Sequence, residues 1–324
     1  MAAAQTPATE VRVGERTIRV SNPDRLYFPE LGLTKLGLVE YYLAVGEGIV
    51  NSLRERPCML HRFPKGITGD KVHQKRLPAG APPWIETVRL HFPRYGLHAD
   101  ELCVTEVAQV IWAVQMSTVE FHPWNSRRSN VEQPDEWRID LDPMPDCSFD
   151  TVRRVAGVVQ EVLDELGAVG WPKTSGGRGL HIYVRIPPNH GFTQVRRAAL
   201  AFAREVERRC PSESTTTWWR KDRDPTAVFI DYNQNARDHT MAAAYSVRGF
   251  PDGRVSAPLN WSEIPSVNPA DLTVLTMPDR FTRLGDLHAQ IDTQVFSIEP
   301  LLEWADRDER DGVLEPTPPE SDDE

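Results

Sequence analysis

Four cysteines in 324 residues are too few and too scattered for a disulfide framework or a zinc ribbon. Cys58, Cys103, Cys147 and Cys210 form no CxxC pair and are expected to be reduced, buried thiols. No apolar run approaches the roughly 18–20 residues of a membrane span. The start, MAAAQTPATEVRVGE, lacks the basic beginning and apolar core of a secretory signal. These absences predict a cytoplasmic chain with no membrane partner. No internal repeat and no clear linker interrupt it, so one compact unit is expected.

Basic charge is scarce overall, with a net charge of −10, which at first argues against a nucleic-acid partner. The distribution says otherwise. From Glu299 to Glu324 there are 11 acidic and 2 basic residues, leaving 36 acidic and 35 basic in the other 298. The body is near neutral and carries basic clusters at Arg127-Arg128, Arg196-Arg197, Arg204/Arg208/Arg209 and Arg220-Lys221-Asp222-Arg223. Such patches can bind phosphate. Residues 1–9 and the acidic end at 312–324 are expected to be disordered, with the folded unit over 10–311.

Pattern places the elements. Val11 to Val20 alternates as a hairpin with Gly14 at its turn. Thr34 caps a helix predicted through Leu53, and a buried helix is predicted over 105–116. Ser148 caps an amphipathic helix to about Leu166, and another runs from Thr193 to about Arg209. Strands are predicted at Leu180–Ile186 and Thr226–Tyr232, and Arg248 ends a further one. Alternating strands and helices imply a mixed α/β or α+β sheet with helices packed on it.

The chemistry starts at Arg138-Ile139-Asp140-Leu141-Asp142-Pro143. On a strand, the period of two puts both carboxylates on one face and buries Ile139 and Leu141 on the other. Carboxylates that close repel unless a cation lies between them, which suggests a divalent metal. A DxD before proline is also a common turn or cap, so the pair alone leaves that role open. Asp231 ends the apolar run Val228-Phe229-Ile230 and is a third candidate ligand. Three carboxylates can hold two divalent ions about 3.5–4 Å apart for in-line phosphoryl transfer.

Between the acidic strands lies Thr174-Ser175-Gly176-Gly177-Arg178-Gly179-Leu180-His181. It is not a Walker A loop, yet its glycines free the backbone to approach an anion. Ser175 and Arg178 add donors for phosphate oxygens, and His181 follows in the strand. His122, Gln234 and Arg248 are polar residues set in apolar context. With a metal site they would supply donors for a triphosphate and its sugar.

DLDP, then SGGRGLH, then a strand ending in Asp resemble the three motifs of the archaeo-eukaryotic primase superfamily. More closely, the chain resembles the polymerase domain of bacterial ligase D, which serves non-homologous end joining. Supporting stretches are Arg62-Phe63-Pro64-Lys65-Gly66, Gly80-Ala81-Pro82-Pro83-Trp84, Glu120-Phe121-His122-Pro123 and Asp231-Tyr232-Asn233-Gln234-Asn235. The resemblance implies an α+β primase-polymerase fold with mixed sheets and flanking helices. It implies templated addition of NTPs or dNTPs to primer 3′ ends at gaps or breaks in DNA.

By the same resemblance Asp140, Asp142 and Asp231 bind two ions, Mn²⁺ or Mg²⁺. His122, Ser175, Arg178, His181, Gln234 and Arg248 hold the nucleotide. Arg25 and Lys35 take a 5′-phosphate across a DNA gap, and His73 contacts the template. His61 stands where relatives often have lysine, and Val72-His73 replaces a pair of phenylalanines. Ku and a separate DNA ligase are the implied partners, and the nucleoid the implied place of work. Lacking a KxDG ligase motif, the chain is expected to be a stand-alone polymerase module. Two alternatives remain: a manganese-dependent glycosyltransferase with a DxD motif, and a non-catalytic scaffold that binds DNA ends.

Overall fold

A computed structural model describes residues 7–93 and 96–313. The chain divides into two compact units rather than the single one expected. One takes the chain through Val131, with Trp171–Gly177 and Thr240–Asp292; the other takes Glu132–Gly170, Arg178–His239 and the chain from Thr293. The crossings fall between adjacent elements with no linker composition, so local sequence pattern had nothing to mark them. The two units are α+β; the five-stranded sheet of the first pairs antiparallel, and the sheet of the second is mixed, with one parallel pair at Ser214–Thr215 against Val228–Phe229.

In chain order the strands of the first unit begin with β1 (Ala8–Val13), β2 (Arg16–Ser21), β3 (Leu26–Phe28) and β4 (Leu33–Thr34). Helices α1 (Lys35–Ala44) and α2 (Gly46–Leu53) follow. Then come β5 (Pro57–Arg62), β6 (Val72–Gln74), β7 (Thr87–Phe92), β8 (Leu97–Cys103), α3 (Val107–Gln115) and β9 (Thr118–Pro123). The second unit opens with β10 (Glu136–Pro143) and α4 (Phe149–Leu166). The chain then passes through β11 (Trp171–Thr174) of the first unit to β12 (Leu180–Arg185), α5 (Phe192–Arg209), β13 (Ser214–Thr215) and β14 (Val228–Ile230). Last are α6 (Met277–Leu284) and α7 (Glu299–Arg310).

The expected hairpin forms as β1 and β2 around Gly14, whose φ of 57° suits a residue without Cβ. It starts at Ala8, inside the stretch expected to be a tail, because Thr9 and Ala8 pair with Val20 and Ser21. Residues 1–6 and the acidic end beyond Val313 lie outside the described residues. Thr34 caps its helix as predicted, accepting from Gly37 N–H at 3.1 Å. The helix breaks at Val45, where the chain turns into Gly46 and Gly48. A Cβ on Gly48 would sit 2.4 Å from the Tyr245 ring, so close packing selects glycine there.

The sheet of the first unit runs β6-β5-β8-β7, with β9 also paired to β5. Strand β9 is buried along its whole length. The strand expected to end at Arg248 is only an isolated bridge, Val247 with Val255.

Strands of the second unit run β12-β10-β14-β13. Ser148 caps α4 as predicted, accepting from Thr151 N–H at 3.2 Å, and Gly167 closes it in the left-handed region. Trp137 of β10 packs edge-on against Phe202 of α5, with centroids 4.7 Å apart. Arg197 of α5 pairs with Asp306 and Glu309 of α7. Much of the apparent basic patch is thus spent on ion pairs: Arg209 binds Glu165 and Glu205, and Arg128 in the first unit binds Glu55 and Glu86. All four cysteines are free and buried, as expected. Among the described residues no helix is long and apolar enough to cross a membrane.

Candidate active site

Register places the carboxylates. Ile139 and Leu141 of β10 are buried, which turns Asp140 and Asp142 to the other face. Antiparallel pairing sets Asp140 opposite His181 of β12, with His181 Nε2 3.4 Å from Asp140 Oδ1. On the other side Leu141 pairs with Ile230, so Asp231 comes level with Asp140. The Asp231 N–H donates to the Asp140 carbonyl at 2.9 Å. Strand β14 ends one residue before Asp231, because that carboxylate turns the chain by accepting from Asn233 N–H at 3.0 Å. Its other oxygen accepts from Gln234 Nε2 at 2.9 Å. Gln234 therefore orients a candidate ligand. Asn235 fixes the same turn from below, bonding both the N–H and the carbonyl of Arg138.

Asp142 keeps access to water yet is enclosed closely enough to be pushed up from the ordinary carboxylate range. Burial is the larger cause and the neighbouring Asp231 charge the next, with Arg220, Arg223 and Arg178 opposing. Net repulsion between hard oxygen donors is what a divalent cation relieves, and the residues present fit one. Among the described residues the three aspartates do not gather within 4.8 Å of one another. A spread set suits two ions about 3.5–4 Å apart better than one caged ion.

In the glycine-rich loop, a Cβ on Gly179 would lie 2.1 Å from the Leu141 carbonyl, so only glycine lets β12 start beside β10. Arg178 is exposed, and its Nη2 donates to the carbonyls of Met144, Pro145 and Cys147 at 2.9–3.2 Å. It steadies the turn after the DLDP run while its charge faces Asp142. Arg223 donates to the Thr217 and Trp218 carbonyls and lies over the Phe229 ring at 3.3 Å.

In the first unit Ser175 Oγ accepts from Gly177 N–H at 3.0 Å, and the Ser175 carbonyl accepts from Arg248 Nη1 at 2.6 Å. Gly176 is left-handed, and a Cβ there would meet Arg248 Cγ at 2.5 Å. Arg248 also approaches Glu120, its Nε 3.4 Å from Oε2. That carboxylate gathers His122 Nε2 at 2.8 Å, His61 Nδ1 at 2.9 Å and, on Oε1, the Gly249 N–H at 2.8 Å. Burial would raise Glu120, but the two histidine hydrogen bonds and the Arg248 charge hold it well below the ordinary range. Burial, helped by His61, pushes His122 down to about 3, so the imidazole is neutral.

Lys35 is buried rather than presented to solvent. Its Nζ donates to the Ser21 carbonyl at 2.9 Å and to Gln115 Oε1 at 2.7 Å. Burial first, then the charges of Arg25 and Arg62, push its pKa down to about 8. Three crowded cations make a pocket that an anion would stabilise. Arg25 is exposed, with Nη1 on the Pro64 carbonyl at 2.6 Å. His73 is exposed on β6, opposite His61, their rings edge-on at 4.5 Å.

Sequence reasoning assigned no role to Glu120, His61 or Arg62. An acidic residue two before His122 on an apolar strand was the available signal for Glu120. His61 was visible only as a departure from the family pattern.

The chain matches the LigD primase-polymerase domain family over residues 34–288. It is 32% identical over 284 residues to the multifunctional non-homologous end joining protein LigD of Pseudomonas aeruginosa, covering 87% of this chain and 34% of that protein. With the bifunctional LigD of Bacillus subtilis it shares 28% over 271 residues, 83% of this chain and 43% of that one. It thus spans well under half the length of these curated relatives. Among solved structures it is similar to the polymerase domain of Mycobacterium tuberculosis ligase D in complex with DNA. The TM-score is 0.80 at 26% identity, over 86% of this chain and 99% of that one.

Proposed function

The chain belongs to the LigD primase-polymerase domain family, and on that premise we propose that it is a DNA-dependent nucleotidyltransferase that extends primer 3′ ends at gaps and breaks. The observation that carries this reading is the register of β10. It sets Asp140 beside Asp231 and His181, with Asp142 two residues on and raised by burial first and the Asp231 charge second. A glycosyltransferase needs only a DxD pair and gives no reason for Asp231 or for the Arg25–Lys35–Arg62 pocket. A scaffold whose site had decayed would not keep three carboxylates under mutual repulsion.

Bound Mn²⁺ or Mg²⁺ would supply the charge that lowers the pKa of the primer 3′-hydroxyl and stabilises leaving pyrophosphate. Asp140, Asp142 and Asp231 are the residues to hold two such ions. Gln234 positions Asp231, and His181 positions Asp140 and can donate to a phosphate oxygen. His122, Ser175 and Arg248 are assigned to the incoming triphosphate, where fixed donors offset developing negative charge. Arg178 acts mainly by anchoring the turn beside Asp142.

Lys35, Arg25 and Arg62 are assigned to the 5′-phosphate of a gapped duplex, with Arg25 the exposed arm and Lys35 the buried charge. His73 is available for stacking on a template base. The relatives' names place them in non-homologous end joining, and one related domain is solved with DNA. End joining alongside Ku and a ligase, with ribonucleotides as well as deoxyribonucleotides accepted, is the cellular role proposed here.

Primer extension on a 5′-phosphorylated gapped duplex with Mn²⁺ and each NTP and dNTP tests the reading. Template-directed addition, lost in Asp140→Ala/Asp142→Ala, is the expected result. Binding of DNA without addition would favour the scaffold, and neither would favour nucleotide-sugar chemistry.

A further inference from the structure

We propose that His61, Glu120 and His122 form a second cation site, which takes a borderline divalent ion of the zinc class. Register builds it. His61 of β5 pairs with Glu120 of β9, and His122 lies two residues on along the same face. His61 Nδ1 and His122 Nε2 both approach Glu120 Oε2, at 2.9 and 2.8 Å. Among the described residues this is the one group of three ligand-type side chains whose donor atoms all lie within 4.8 Å of one another.

All three side chains are buried; among the described residues His61 Nε2 has no hydrogen-bond partner, and Nδ1 is the ring nitrogen turned to the cluster. Two imidazoles and a carboxylate are the donor set of open, four-coordinate zinc sites. Nitrogen donors favour zinc over manganese or magnesium, which suit the aspartates. A tetrahedral ion about 2.0–2.1 Å from each donor sets donors roughly 3.3–3.4 Å apart, so each imidazole nitrogen need draw back only about half an ångström from Glu120 Oε2. Each ring gives one nitrogen to the ion and keeps its proton on the other. Arg248 Nε, 3.4 Å from the same oxygen, is the competing cation.

His122 is also assigned to the triphosphate, so ion and nucleotide exclude each other there. The test therefore contains no nucleotide and stands apart from the polymerase reading. The whole chain is stripped with a chelator and titrated with Co²⁺, followed by the visible absorption of four-coordinate cobalt. One equivalent is expected to give the four-coordinate signal, displaced by Zn²⁺, whatever the aspartates take up without that band. Asp140→Ala/Asp142→Ala is expected to leave the signal intact. Affinity is expected to fall about tenfold or more in His61→Lys, whose ammonium can still pair with Glu120 and preserve the fold. Arg248→Gln is expected to tighten binding. The proposal is overturned by any of three results: no four-coordinate signal in the unaltered chain, an unchanged signal in folded His61→Lys, or loss of the signal in the aspartate variant. Zinc competition against a chromophoric chelator on the Asp140→Ala/Asp142→Ala variant decides the matter if His61→Lys does not fold; a dissociation constant weaker than about 10 µM would sink the site.

Discussion

Strands β9 and β10 each carry two chemical groups at i and i+2, Glu120/His122 on one and Asp140/Asp142 on the other. The spacing is the same and the outcome opposite. On β9 the carboxylate meets two imidazoles, an arginine and a backbone N–H, and is held ionised in a buried place. On β10 the two carboxylates meet a third, and burial together with the Asp231 charge pushes Asp142 toward its neutral form. A shared face only brings groups together; the residues in register on neighbouring strands decide whether charge is cancelled or stored. Stored negative charge is what a cation-dependent reaction can use.

The comparison breaks most sharply if the stored charge is not needed. Asp140→Ala/Asp142→Ala is expected to cut extension by about 10³-fold or more, some 4 kcal/mol of barrier, with gel-shift affinity for gapped DNA nearly unchanged. Equal loss of binding and activity would contradict a catalytic role.

Next in size is Glu120→Gln, which removes the charge that three neighbours share. It should destabilise the fold by about 3 kcal/mol in urea unfolding at neutral pH. The pH dependence has a definite sign. Glu120 in the folded chain titrates below the ordinary 4.5. Its contribution is therefore full above that value and lost as pH falls through the folded pKa. A stability profile from pH 3 to 7 that Glu120→Gln leaves unchanged in shape would refute the assignment.

Gly179→Ala should cost about 2 kcal/mol or more, because the new Cβ meets a backbone carbonyl, while Gly177→Ala meets only Ser175 Oγ at 3.3 Å. Similar melting points for the two would show that β12 can retreat from β10.

A smaller effect is expected at the cation pocket. Arg25→Ala with Lys35→Ala should lower the preference for 5′-phosphorylated gaps about tenfold, near 1.4 kcal/mol. In the unaltered chain that preference should weaken as pH rises past about 8, where Lys35 loses its proton. A flat profile from pH 7 to 9 would remove Lys35 from the pocket.

The smallest effect has the opposite sign to Glu120→Gln. A raised pKa means ionised Asp142 costs stability, so Asp142→Asn should stabilise the metal-free chain at neutral pH. Its contact with water screens the gain to under about 1 kcal/mol. Destabilisation on thermal unfolding would mean that the carboxylate is already compensated.

Much of this was legible from pattern. Thr34 and Ser148 cap the helices they were expected to cap, and the two-residue period put Asp140 and Asp142 on one face. What was missed has physical causes. Val45 breaks a helix that periodicity ran through to Leu53, and a new helix starts at Gly46, with Gly48 packed against the Tyr245 ring. The burial of Lys35 was not visible in the pattern: its ammonium is held by Gln115, 80 positions away. Arg178, expected to meet phosphate, also has an anchoring contact that pattern did not show, Nη2 on three carbonyls. Each depends on a partner distant in sequence.

Alone, the sequence determined what local chemistry can determine: strand and helix periods, caps, the turn at Gly14, and the ordered motifs that mark the family. Only the tertiary structure decided which strands lie in register. That choice brings Asp231 level with Asp140, sets His61 against Glu120, and closes the cations around Lys35. Hydrogen-bonded register is a relation between distant segments, fixed by burial of whole faces at once, and no window of residues contains it.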